Sequence, residues 1–160
     1  MARALFEHIL LQGSPGFITR TQAALGCLRT AYCCAEVWGL LVLLREAKRS
    51  GVHAHKDLPV IDVGQRVSNS PTIWYASGIA HEGFHIKLYR EAKTRNGGHE
   101  PDINAWAGAE AETKCLEFQL RVLDELKAED RYLEYVRELM KSPDYQGDPF
   151  STKDYMRRDW

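Results

Sequence analysis

The chain has 160 residues, 44% of them hydrophobic and 27% charged, and its 21 Lys and Arg against 22 Asp and Glu give a formal net charge of −1. That length suits one domain with a real apolar core, and so balanced a charge supplies no field to draw the protein to nucleic acid or to an anionic membrane. The longest apolar run, Ala31 to Leu44, is too short to span a bilayer and contains Glu36, so no membrane segment is expected.

Met1-Ala2-Arg3-Ala4-Leu5 opens directly into helix-like sequence, without the small-residue cleavage site of a signal peptide. Gly13-Ser14-Pro15-Gly16 then separates a short N-terminal helix from a much longer one, Thr19 to Arg49, rich in Ala, Leu and Arg and stopped at Ser50-Gly51. Val52 to Leu58 reads as a loop, and Pro59 to Val67 as the only convincing strand, half of a small hairpin or sheet. Ser70 is the expected N-cap of the next helix, with Pro71 in its first position. That helix should run to Lys93 and end at Asn96-Gly97-Gly98. A further helix is expected from Trp106 through Leu126, and a last one from Asp130 to Met140, stopped by Ser142-Pro143. The predicted fold is mainly α with a small β element (α+β), one domain over residues 1–143 followed by a tail over 144–160. Tyr145, Phe150, Tyr155 and Trp160 should fold that tail back on the body, where it would be placed to cover a cleft.

Cys27, Cys33, Cys34 and Cys115 match no zinc-ribbon or thioredoxin spacing. Cys33 and Cys34 are adjacent and cannot share a helix face. All four are read as small buried hydrophobes in a reducing compartment, which points to a cytoplasmic protein.

The helix after Pro71 carries His81-Glu82-Gly83-Phe84-His85. Histidines at i and i+4 lie one turn apart on one face, so both imidazoles can reach a single ion. Glu82 points about a quarter-turn away, too far round to be a ligand but placed to move protons to and from a metal-activated water. Trp74, Ser77, Gly78 and Leu88 share the face of the histidine pair, which should pack inward, and Gly78 leaves room for an ion or substrate.

A catalytic zinc needs a third protein ligand and an open position. The metzincin arrangement fails, because Leu88 stands where its glycine would be and Glu91 where its third histidine would be. His99, Glu110 and Glu112 remain. Glu110 falls on a stripe with Lys114, Glu117, Arg121 and Asp124 that reads as a solvated face. Glu112 falls within the apolar arc of Ala109, Cys115, Leu116, Leu123 and Leu126, where a carboxylate must be paired, protonated or bound to metal. Glu112 is therefore preferred, with Glu110 the alternative and His99 read as a loop residue. Gln119 lies on the Glu112 side and could hold that carboxylate. Tyr89 reads as a core-edge tyrosine or an oxyanion donor, and His53 and His55 as surface residues or an accessory metal site.

An HExxH helix followed by a second helix bearing a lone Glu resembles the gluzincins, in particular their minimal single-domain forms. Glu112-Thr113-Lys114-Cys115-Leu116-Glu117-Phe118-Gln119 looks like the E-x-x-A-x-x-F segment of small metallopeptidases related to the ImmA/IrrE group, with Cys115 in place of the usual Ala. The run Ile73-Trp74-Tyr75-Ala76-Ser77 is similar to sequences of the same kind, although no helix-turn-helix accompanies it. The resemblance covers residues 59–120. It implies a minimal zincin: a zinc metallopeptidase with His81, His85 and Glu112 on Zn2+, Glu82 as catalytic base, and a peptide or protein as substrate. It also implies that residues 59–67 bind extended substrate by strand addition. Two other readings stand beside it, a non-catalytic helical interaction protein that retains the scaffold and a metal-free helical bundle. Another divalent ion could also suit two imidazoles and a carboxylate.

Overall fold

The computed structural model describes residues 1–55 and 57–141. The chain begins as a hairpin of β1 (Ala2–Phe6) and β2 (Ile9–Gly13), then forms α1 (Pro15–Leu28), a short 3-10 turn at Tyr32–Cys34, and α2 (Ala35–Trp38). Three strands follow, β3 (Leu43–Ala47), β4 (Gly51–His53) and β5 (Val60–Gly64), and then the one-turn α3 (Gln65–Ser68). The long α4 (Thr72–Arg95), the short α5 (Asn104–Ala107), α6 (Ala109–Glu125) and α7 (Asp130–Lys141) complete the described residues. This is an α+β fold, mainly helical, around one five-stranded sheet. None of its described helices is long and apolar enough to cross a membrane.

The sheet runs β1-β2-β3-β5-β4, parallel through β2, β3 and β5 and antiparallel at both ends. Register aligns Leu11, Leu44, Ile61 and Val52 in one row across four strands. All four are buried, each contributing ~1.5–3 kcal/mol over an exposed position. The next row, Gln12, Arg45 and Asp62, points to the other face and stays partly exposed. The helices share one core with the buried face, through residues such as Phe17, Leu25, Tyr75, Ile79, Ile86 and Phe118.

Several sequence expectations are corrected. Residues 1–13 form a hairpin rather than a helix. Its burial alternates along Ile9, Leu10, Leu11, Gln12 and Gly13, the period of a strand. Its two-residue turn, Glu7-His8, carries no Gly or Asn, although Glu7 takes φ 51°. The side chain of Glu7 fixes the turn by accepting from Trp38 Nε1 at 3.0 Å and pairing with Arg29 at 3.5 Å. The single helix expected over 19–49 is in fact α1, the 3-10 turn, α2 and β3. Of the apolar run Leu40-Leu41-Val42-Leu43-Leu44 only Leu43 and Leu44 enter β3, which continues through Arg45, Glu46 and Ala47 between parallel neighbours, and so short an apolar run does not separate a strand from a buried helix. The loop expected at Val52 contains β4, the antiparallel partner of β5. Strand addition onto residues 59–67 therefore fails, since β5 is paired on both sides and β4 is the edge strand.

The start of α4 also differs. Pro71 occupies the N-cap, and Ser70 Oγ donates to Val67 O at 2.6 Å instead of capping the helix. The helix end is as expected: Gly97 and Gly98 take φ 63° and 87°, and the Gly98 amide donates to Lys93 O at 2.9 Å. The helix expected from Trp106 through Leu126 is broken at Gly108, where ψ of −179° separates α5 from α6. The last helix starts at Asp130 as expected, and the aromatic tail lies outside the described residues.

Packing is uneven along α4. A Cβ on Gly83 would lie 3.0 Å from Leu41 Cδ2 and 3.2 Å from Val37 Cβ, whereas on Gly78 it would meet only Val67 Cγ1 at 4.0 Å. Gly83→Leu should therefore lower stability by ~1–3 kcal/mol through overpacking. Gly78→Ala should raise it by about 0.5–1 kcal/mol through helix propensity. Urea midpoints at unchanged slope measure both.

Candidate metal centre

The two halves of the centre come from α4 and α6, which pack side by side. His81 and His85 are 1% and 2% exposed, and their Nε2 atoms lie 3.2 Å apart. Both rings are fixed from behind. His85 Nδ1 lies 2.6 Å from Trp106 O, and a carbonyl can only accept, so this nitrogen carries the proton. His81 Nδ1 lies 3.1 Å from Gln119 Oε1. The Gln119 orientation follows from its other end. Ser77 Oγ donates to Trp74 O at 2.8 Å and must accept from Gln119 Nε2 at 3.1 Å, which leaves Oε1 to accept from His81. In their neutral forms both histidines therefore turn an Nε2 lone pair toward the same point.

The Trp106 carbonyl is available because of the break in the following helix. At Gly108 the backbone is extended, and a Cβ there would lie 3.0 Å from both the Cα and the O of Asn104. Glycine is thus the residue that lets α5 stop after Ala107 and aim its Trp106 carbonyl at His85.

Glu112, 3% exposed, completes the face. Its Oε2 lies 3.4 Å from His81 Nε2 and its Oε1 3.6 Å from His85 Nε2. Metal–nitrogen bonds of ~2.0–2.1 Å at tetrahedral angles place neighbouring ligand atoms ~3.3 Å apart. The two Nε2 atoms, 3.2 Å apart, have that spacing, and each lies 3.4–3.6 Å from a different oxygen of the Glu112 carboxylate. One turn beyond Glu112, Cys115 is fully buried, and one donor atom from each of His81, His85 and Cys115 lies within 4.8 Å of the others. These three residues form a buried group able to hold a metal ion.

Electrostatics point the same way. Burial alone would raise the Glu112 carboxyl, but the charge of His85 and hydrogen bonds from both imidazoles hold it well below the usual carboxylate range. Burial opposes charge on His85, yet Cys115 and Glu112 more than offset it and keep its pKa well above the ordinary histidine value. The pocket thus favours a positive charge between these residues, whether from a proton or a metal ion. Glu82 behaves differently. Burial pushes its pKa up, only partly countered by His85 and His81, and its buried Oε1 has no hydrogen-bond partner.

Glu82, His81 and Gln119 line a cavity of about 590 Å³ that continues past Gly78, Trp74 and Tyr132. Its size is that of a small-ligand site. At its mouth Tyr132 of α7 stacks on Trp74 with ring centroids 5.5 Å apart.

Among the residues expected from sequence, His81, Glu82, His85 and Glu112 come together. Glu110 is exposed and bonded to Lys114 at 2.6 Å, and His99 is also exposed. Gln119 is a buried partner, but it holds His81 rather than Glu112. Tyr89 is a buried core-edge tyrosine that donates to Glu100 at 2.7 Å. His53 bonds Asp62 Oδ2 at 2.9 Å, a carboxylate that Arg45 also grips at 2.7 and 2.9 Å. His55 is exposed. Cys115, read as a plain hydrophobe, is the residue missed. Its i+3 spacing from Glu112 inside the same apolar arc is the signal that could have found it.

The chain matches no protein-family model, no curated protein and no solved structure in comparison with known proteins.

The tie from Gln119 sets the direction of the His81 lone pair, and removing it should loosen the site without unfolding the protein. Gln119→Leu is expected to weaken divalent-metal affinity ~10–100-fold, read by competition with a chelator, whereas Glu110→Ala should leave affinity unchanged.

Proposed function

We propose that the protein is a zinc-dependent hydrolase that cleaves peptide bonds, with His81, His85 and Glu112 as protein ligands and Glu82 as the general base. One observation carries this reading: two buried imidazoles and the buried Glu112 carboxylate converge within 3.6 Å, beside a second carboxylate, Glu82, that lines a cavity and whose buried Oε1 has no hydrogen-bond partner. When bound, zinc supplies a lowered pKa to water and polarises a substrate carbonyl. The residues supply the rest. The Trp106 carbonyl and Gln119 hold the two rings so that both Nε2 lone pairs converge, and Glu112 adds the negative charge that favours a cation. Glu82 takes a proton from the attacking water and returns it to the departing amine, so the water is divided between the two products. Its burial keeps the carboxylate basic enough for this work.

The cavity and the edge strand support a peptide as substrate. Strand β4 lies against α4 and is the open edge of the sheet on that side, where an extended chain can pair. Trp74, Tyr132 and Leu139 give the cavity an apolar wall, and Arg66 and Arg131 add positive charge. The gluzincin resemblance of residues 59–120 agrees with this reading.

Glu82→Gln should keep its metal, measured by elemental analysis of protein purified without chelator, and should hydrolyse a mixed peptide library ~10²–10⁴-fold more slowly. His81→Ala should lose the metal. An undiminished rate in the glutamine variant would sink the assignment of Glu82. Because the Glu82 pKa is raised, the base becomes protonated as pH falls through a range above the ordinary glutamate value. The acid limb of kcat/KM should fall in that same range.

A further inference from the structure

Cys115 is not placed as a plain core residue. It is fully buried on α6, one turn after Glu112, and its polar neighbours are His85, Glu112 and Glu82. Its Sγ converges with one nitrogen of each histidine inside 4.8 Å. None of the four cysteines is in a disulfide, so Cys115 is not held there as a cross-link partner. Beside it, Glu82 Oε1 is buried without a hydrogen-bond partner, a second sign that the pocket is built around an absent group.

We propose that Cys115 is a fourth protein ligand of the metal ion, closing its coordination in the resting protein. The proposal rests on the metal reading above and deepens it. The donor set becomes two imidazoles, one carboxylate and one thiolate, which suits tetrahedral zinc and disfavours magnesium or calcium. An ordinary thiol is protonated at neutral pH and binds metal only as the thiolate, so metal binding must release the thiol proton. Opening the position would pass one proton from an incoming water to the Cys115 thiolate, which would leave as the neutral thiol. No oxidant or further reactant is required. Four protein ligands leave no open position at rest, so the enzyme would be held latent by its own α6 helix.

Cobalt(II) in place of zinc tests this on the full chain. The wild type should show a thiolate-to-cobalt charge-transfer band in the near ultraviolet. Cys115→Ala and Cys115→Ser should lose that band while retaining the visible bands of bound cobalt. At neutral pH the wild type should release one more proton per ion bound than Cys115→Ala, and Cys115→Ala should bind zinc at least about tenfold more weakly in chelator competition. Cys115→Ala should also hydrolyse peptides faster than wild type. Bound cobalt with no charge-transfer band in the wild type overturns the Cys115 proposal and leaves the metal reading intact. Failure of the wild type to bind cobalt or zinc at all overturns both. A charge-transfer band with unchanged hydrolysis in Cys115→Ala overturns the closure of the site. Circular dichroism and thermal melts of the Ser variant, which nearly conserves volume, separate lost ligation from lost folding.

Discussion

Two imidazoles only 1% and 2% exposed bring their Nε2 nitrogens to 3.2 Å, and each ring has its other nitrogen committed to an acceptor. Neutral rings so arranged turn lone pairs toward each other and toward the Glu112 carboxylate, and this is unfavourable unless something positive sits among them. Much of the surrounding structure maintains that constraint. The Trp106 carbonyl and the Ser77–Gln119 pair prevent either ring from turning away. The opposed shifts of His85 upward and Glu112 downward are the response of a pocket arranged for a cation.

The supports are backbone devices as much as side chains. At Gly108 the chain is extended where a Cβ would lie 3.0 Å from the Cα and O of Asn104, and that break frees the Trp106 carbonyl from helical pairing. Gly83 lets α4 approach Val37 and Leu41 closely enough for the histidine face to meet α6 rather than solvent. The sheet contributes a firm back wall, with Leu11, Leu44, Ile61 and Val52 in register beneath the helices. A buried group of metal-binding donors keeps its geometry only when each side chain is held in place by its supports. Here the holding is done by α4 and α6, with the short α5 acting as a brace.

What could be read from the sequence follows from the strength of each local signal. The histidine pair, the inward face of its helix and the burial of Glu112 were legible because helical spacing fixes which residues share a side. The stop at Gly97-Gly98 was legible because only glycine takes those φ values cheaply. The N-terminal hairpin was hidden because Glu7 turns the chain without a turn residue, held by Trp38 and Arg29 from elsewhere in the chain. Strand β3 was hidden because only its first two residues, Leu43 and Leu44, are strongly apolar, and they close a longer apolar run that reads equally well as buried helix. Gln119 was assigned to the wrong partner because helical projection gives a side chain's face but not which group on the opposite helix it meets. Cys115 was undervalued because burial of a cysteine is ordinary, and only its polar neighbours distinguish it.

The approaches to the ion from cavity and core are not equivalent. His81, Glu82 and Gln119 line the cavity, whereas His85, Glu112 and Cys115 do not. On the proposed reading, substrate and water would arrive beside Glu82, while the sulfur of Cys115 would reach the centre from within the core. An entering water need not pass the thiol in order to replace it. A latent site of this kind needs no moving lid, since the competition is between one buried thiolate and whatever fills the cavity. A substrate that binds the aromatic wall at Trp74 and Tyr132 would shift that competition by holding its carbonyl near the ion. Selectivity would then lie in how well the cavity is filled, and the thiolate would set the threshold that a poor substrate fails to cross.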